Sequence, residues 1–361
     1  MIFARHIHNL PIRFHYIYPE GIRPLAQTSK AEKLPNNYIA VVGDSYAAGK
    51  GSWYDKISKM SRESFHSTHV IYQITGRDVI TFGRSGAGNI RGMVELPVGK
   101  FEYMKSVYPN IESPSEIVVY FYEGNDLNDN RRDVSSRYPY DDIGALLNKE
   151  IFSEFVDQIV VNENEFMRAS KRGLLNHLNL TLRIVEEVKQ QSTKHKDWER
   201  DPMILAKNSF LEFSRGGEEY EGPRGYNRIN VNDKVIKVEG NFQSPSLELT
   251  EDEIDISIYI FEQALIKMKE YFPDSHINVI YIPSPAASYE IVDDTVSIRT
   301  YEGRSAMHPT TKIVRYSDMI CSKIKNVTQR HNVEFFDFRG TVRDEARKTI
   351  PVSYTHLDAA D

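Results

Sequence analysis

Apolar and polar positions along this chain fall into two alternating rhythms. Residues 38–42, 79–82, 117–122, 277–282 and 333–338 are short, nearly continuous runs of Val, Ile, Tyr and Phe. Runs of this length suit strands buried on both faces of a parallel sheet, and most end next to Gly, Ser, Pro or Asn-Asp. Between them the spacing turns helical. Residues 90–107 predict one crossover helix. Ile254, Ile258, Phe261, Leu265 and Met268 form a single stripe, and Thr250 with Glu253 supplies a capping box ahead of it. Residues 310–330 predict a third crossover, with Cys321 in the apolar rhythm of Ile313, Val314, Met319, Ile320 and Ile324. That rhythm makes Cys321 a small buried helix residue rather than a nucleophile. Residues 341–348 predict a further helix.

Strand and helix alternating in this way predict an α/β fold: a doubly wound, flavodoxin-like, parallel five-stranded sheet with helices on both faces. Residues 128–249 fit no single crossover. Their first part, 140–191, predicts two long helices; 214–228 is rich in Gly, Glu and Arg, and 231–238 alternates like a strand. The stretch is expected to be a mainly helical insertion, forming a lid or cap over the strand ends. The resulting organisation is an N-terminal extension over 1–36, one α/β domain over 37–350, and a tail over 351–361.

Composition removes some functions. With 45 Lys and Arg against 51 Asp and Glu, the net charge is −6, which argues against a protein devoted to nucleic acid or anionic membranes. A single cysteine excludes an intramolecular disulfide and any cysteine-rich zinc site. No apolar run approaches the roughly 18 residues that a membrane-spanning helix needs. The opening 33 residues lack the apolar core and cleavage site of a signal peptide. No metal cluster stands out and no cofactor is implied; compartment and oligomeric state are left open.

Chemistry gathers at three predicted strand ends. The first strand runs into Gly43-Asp44-Ser45, where Ser45 sits at the ligand-binding edge of a doubly wound sheet. The second ends in Gly83-Arg84-Ser85-Gly86-Ala87-Gly88, whose glycines let a backbone N–H approach a ligand. The third ends in Glu123-Gly124-Asn125-Asp126, placing an amide where it can donate to an oxyanion. Taken singly, each is ordinary turn chemistry. In this order they resemble the SGNH/GDSL hydrolase family: Gly43-Asp44-Ser45 its first block, Ser85-Gly86 its second and Gly124-Asn125-Asp126 its third. The motifs cover some fifteen residues, though the strand order agrees from about residue 38 to 338. The resemblance implies an ester hydrolase in which Ser45 attacks an acyl carbonyl. The backbone N–H groups of Ser45 and Gly86 and the side chain of Asn125 would hold the oxyanion. A small-molecule, lipid or glycan ester would serve as substrate.

The family's base is a histidine preceded three residues earlier by an Asp, and none of the eleven histidines has that neighbour. His308 precedes the last strand, where a loop or helix-start role suits it better. His356 follows that strand, with Ser353 where the Asp belongs. Residues 352–358 resemble translated adaptor sequence at the end of metagenomic reading frames, so the native chain is expected to continue into an Asp-x-x-His block. Three other readings stay open at this point: a non-catalytic module binding carbohydrate or acyl groups, an acyltransferase using the same acyl-enzyme, and a flavodoxin-like nucleotide binder.

Overall fold

The computed structural model describes residues 34–49, 67–138, 143–169, 226–299 and 305–348, with scattered positions between 21 and 31. Strand β1 (Ile39–Gly43) leads directly into the one-turn helix α1 (Ser45–Ala48), and α2 (Ser67–Thr75) precedes β2 (Val79–Thr81). A π-helical turn (Ile90–Glu95) runs on into α3 (Leu96–Val107), followed by β3 (Glu116–Tyr122), α4 (Asp126–Arg137), α5 (Ile143–Leu147) and α6 (Lys149–Ala169). Next come β4 (Tyr226–Val231), β5 (Lys234–Glu239), β6 (Phe242–Gln243), a 3-10 turn (Pro245–Glu248) and α7 (Glu251–Tyr271). The remainder is β7 (His276–Ile282), α8 (Pro285–Ser288), β8 (Glu290–Ile291), β9 (Thr295–Arg299), β10 (Ser305–Pro309), α9 (Thr310–Arg330), β11 (Glu334–Asp337) and α10 (Arg339–Ala346).

The five apolar runs form one parallel sheet in the order β11-β7-β3-β1-β2. This is the α/β doubly wound architecture that the pattern predicts. Strand pleating sorts the side chains onto two faces. Ala40, Val42, Ile80, Ile117, Val119, Phe121, Ile277, Val279 and Tyr281 enter the large core shared with α3, α7 and α9. Ile39, Val41, Val79, Val118 and Tyr120 point the other way, onto Ala47 of α1 and Ile71 and Tyr72 of α2. Each fully buried Val, Ile or Phe contributes about 1.5–3 kcal/mol, so this two-sided burial sets the register.

Helix α7 begins at the predicted capping box. Thr250 Oγ1 accepts from the Glu253 N–H, and the Glu253 carboxylate accepts from the Thr250 N–H at 2.9 Å. Cys321 is buried in α9. Of the predicted insertion, α6 lies against α3 and α7, with Asp157 bonded to Lys267 and Tyr271, and α5 packs on α6. They thus form a further layer on that face of the sheet. Residues 170–225, the rest of the predicted helical pair and most of the Gly-rich stretch, fall outside the described residues, as does the 351–361 tail. The alternation at 231–238 is the hairpin β4–β5, turning at Asn232 and Asp233, both at positive φ. It joins β8 in a three-stranded sheet, while β6, β9 and β10 form another. Only the β4–β5 part of these sheets is visible in the apolar pattern, as the alternation at 231–238. Their strands run two to six residues and mix polar with apolar positions. No helix among the described residues is long and apolar enough to cross a membrane.

Candidate active site

The carboxyl ends of β2, β1 and β3 are neighbours in the sheet, and the three motifs lie there side by side. At the end of β1, Gly43 takes φ +137. A Cβ at that position would stand 2.6 Å from the Tyr120 carbonyl, so only glycine lets the chain turn there. Asp44 then caps α1, its Oδ1 accepting from the Tyr46 N–H at 2.9 Å. Ser45 is the first residue of that helix, and its Oγ donates to Asp44 Oδ2 at 3.1 Å.

The loop after β2 is stitched to both flanking elements. Thr81 Oγ1 donates to the Ala47 carbonyl at 2.6 Å, and the Arg84 N–H donates to the Gly43 carbonyl at 3.1 Å. Gly83 lies so close to α1 that a Cβ would meet the Ala48 nitrogen at 2.4 Å. Farther along, the Gly88 N–H donates to Asp133 of α4 and the Asn89 N–H to Asn130. Gly86 sits between these anchor points at φ +64, its carbonyl accepting from Arg132 Nη2 at 3.1 Å. Gly92, in the π-helical turn, packs beneath β1; a Cβ there would come within 2.9 Å of the Gly43 carbonyl. Such π turns are rare and are often found near functional sites.

At the end of β3, Asn125 is the N-cap residue of α4 and its Nδ2 donates to Asp129 Oδ2 at 3.0 Å. The Asn125 side chain also lies near enough to Asp44 to favour its charged form, so one carboxylate stands beside both the serine and the asparagine. Asp126 accepts from the Tyr122 N–H at 3.0 Å and from Asn89 Nδ2 at 3.3 Å. Asp44, Ser45, Asn125, Asp126 and Asp129 are all buried. Ser45 itself is only 1% exposed.

Burial dominates the electrostatics. It pushes the Asp44 carboxyl up to about 6, against the lowering effect of the groups beside it, Tyr46, Ser45 and Asn125. Asp126 is held well above the usual carboxylate range by burial first and by the negative charge of Asp44 second. Two carboxylates in one dry site resist ionising together, so the pair retains a proton where exposed acids would have lost theirs.

No family model, curated protein or solved structure matches this chain. The arrangement is therefore read from its own chemistry.

The structure places Ser45 and Asn125 at adjacent strand ends and sets Gly86 on the loop that bridges α1 and α4. It does not bring His308 to the serine. That residue lies in β10, with Nδ1 3.4 Å from Lys312 Nζ and Nε2 buried without a hydrogen-bond partner. Burial and the Lys312 charge both lower its pKa. His356 lies outside the described residues. The sequence reading missed Asp126, Asp129, Asn89 and Asn130 as site-building residues. Their signal was the helical spacing after the third strand: 125 with 129, and 126 with 130, share one face of a helix.

Proposed function

We propose that this chain hydrolyses a carboxylic ester through an acyl-enzyme at Ser45. One observation carries the reading. A serine at the carboxyl end of β1, hydrogen-bonded to Asp44, and an asparagine at the end of the adjacent β3 stand at neighbouring strand ends, with a glycine loop between their helices. In this mechanism the Ser45 Oγ attacks the acyl carbon, and the negative oxygen that forms is held by the N–H groups of Ser45 and Gly86 and by the Asn125 amide. Donors fixed in a water-poor site are worth more than in solution, about 3–4 kcal/mol for one such group. The acyl group belongs to a small-molecule, lipid or glycan ester. Where water is kept from the acyl-enzyme, the same intermediate passes the acyl group to another acceptor instead.

Hydrolysis of p-nitrophenyl acetate and butyrate beside a Ser45→Ala variant tests this. The variant is expected to lose at least about a thousandfold in kcat/KM. Wild-type rates in Ser45→Ala would remove the serine from the reaction. One observation favours the non-catalytic alternative, a module that binds acyl or carbohydrate groups: His308 is bonded to Lys312 and not to the serine. An inert protein that nevertheless binds such a group would follow from that reading.

A further inference from the structure

Beside the loop that carries Gly86 lies a cluster of guanidinium groups that the mechanism above does not use. Arg84 stands on that loop, Arg91 on the π-helical turn, and Arg132 and Arg137 on α4. Arg132 donates to the Gly86 carbonyl at 3.1 Å and pairs with the buried Asp129 at 2.9 Å. Asp129 in turn accepts from Asn125, so the cluster adjoins the asparagine of the site. Arg137 pairs with Glu95 at 2.5 Å, and Asp133 accepts from the Gly88 N–H at 2.8 Å.

Arg91 is different. It is half-buried, and its Nε is enclosed with no hydrogen-bond partner among the described residues. Burial first, then the positive charges of Arg84 and Arg137, lower its pKa, while Glu95 and Asp133 oppose that shift. A guanidinium stays charged all the same, so it bears the cost of lost water and of like charges close by. The Gly86 loop holds a second orphan. The hydroxyl of Ser85, between Arg84 and Gly86, is buried without a hydrogen-bond partner. Buried polar groups are nearly always paired, so two unpaired donors at one loop point to a ligand that completes them.

The balance of charge says which kind. Within the cluster four guanidiniums stand against three carboxylates, Glu95, Asp129 and Asp133, which leaves one positive charge over. A singly charged group neutralises it, whereas a doubly charged phosphate would leave the cluster negative. The planar fork of an arginine also matches a carboxylate, through two parallel N–H···O bonds.

We infer that this cluster is a subsite for a carboxylate on the substrate, anchored by Arg91 with Arg84 beside it, so that the ester cleaved at Ser45 is an anionic one. This rests on the ester-hydrolase reading and names its substrate class. The carboxylate replaces the water that Arg91 has lost, and its charge relieves the repulsion among Arg84, Arg91 and Arg137. A neutral ester gains neither. Arg132 stays between Asp129 and the Gly86 carbonyl, where it steadies the loop.

The test pairs anionic with neutral esters, using the 361-residue chain. Mono-4-nitrophenyl adipate carries its carboxylate on the acyl side and 4-acetoxybenzoate on the alcohol side, and each is run beside its methyl-capped neutral form. In one pair kcat/KM is expected to favour the anionic ester by about tenfold or more, and that pair shows which half of the substrate lies over Arg91. Arg91→Met is expected to remove the preference and Arg91→Lys to keep part of it. Both are read as the ratio within a pair, so a general loss of activity does not imitate them. No preference in either pair, or one that survives in a folded Arg91→Met, would overturn the proposal. Absence of turnover on every ester ends the hydrolase reading, and calorimetry then judges the subsite by itself. Monomethyl adipate binding at least about tenfold more tightly than dimethyl adipate supports it, and equal binding or none overturns it.

Discussion

At the scale of single residues, the site is built from groups that sit badly alone. Asp126 is buried, faces another carboxylate and is neutralised by no cation within its hydrogen-bond set. Its raised pKa means that the folded state binds a proton more tightly than the unfolded chain does. The stability this contributes is full below the unfolded carboxylate pKa, near 4, and is lost as pH climbs through the higher folded value. Replacing Asp126 with Asn removes the titration while keeping an oxygen that can accept from Tyr122 or Asn89. The Tm difference, variant minus wild type, is therefore expected to be more positive at pH 8 than at pH 5. Thermal unfolding at the two pH values measures it, and an equal or reversed difference would mean that Asp126 ionises without strain. The sequence showed Ser45, Gly86 and Asn125 because three motifs, each ordinary turn chemistry alone, follow one another at successive strand ends. It did not show the buried acids around them, since an Asp in Asn-Asp reads as turn chemistry until the fold closes over it. Nor did it show why Gly83, Gly88 and Gly92 are glycines. Only the packed structure reveals that each lies under 3 Å, measured from a would-be Cβ, from another segment's backbone.

Between elements, the sheet and its coverings are joined by a second buried acid with a different diet of partners. Glu123, at the end of β3, accepts from Tyr281 of β7 at 2.8 Å, Ser284 beside α8 at 2.9 Å and Ser317 of α9 at 2.6 Å. Burial raises its pKa, and these three hydroxyls oppose that rise. One carboxylate thus fastens two strands and two helices just behind Asn125. Glu123→Ala leaves three buried hydroxyls without their acceptor and is expected to cost about 2–4 kcal/mol of unfolding free energy in urea. Glu123→Gln, which keeps an acceptor, is expected to cost less. Equal losses in the two would mean that packing, not hydrogen bonding, sets the cost. This junction could not be read from the chain, because its members are separated by up to 194 positions. The elements it joins were legible for the opposite reason. Their periodicity is local: continuous for β1, β3 and β7, three-to-four for α7 and α9, and reinforced in α7 by the Thr250–Glu253 cap. In the small sheets β5-β4-β8 and β10-β9-β6 only the alternation at 231–238 carried a local signal; β6, β8, β9 and β10 carry none and depend on tertiary pairing.

Across the whole molecule, sequence order and spatial order diverge in a way that matters to the site. Strands β2, β1 and β3, which carry the three motifs, occupy one side of the sheet and come from the first part of the chain. Strands β7 and β11 are added later, at the β3 side. Of β3's seven residues, six are apolar or aromatic, and β7 begins only at His276. On a ribosome elongating at about 5–20 residues per second, that edge waits roughly ten to thirty seconds for its partner. During the wait it offers unpaired N–H and C=O groups along a strand of high β-propensity, the kind of template on which chains aggregate. Nascent chains arrested near residue 250 are thus expected to be captured by holdase chaperones more strongly than chains arrested after residue 348; equal capture in a pull-down would contradict this. The half-sheet that carries the three motifs is also the half whose open edge the growing polypeptide must shelter longest.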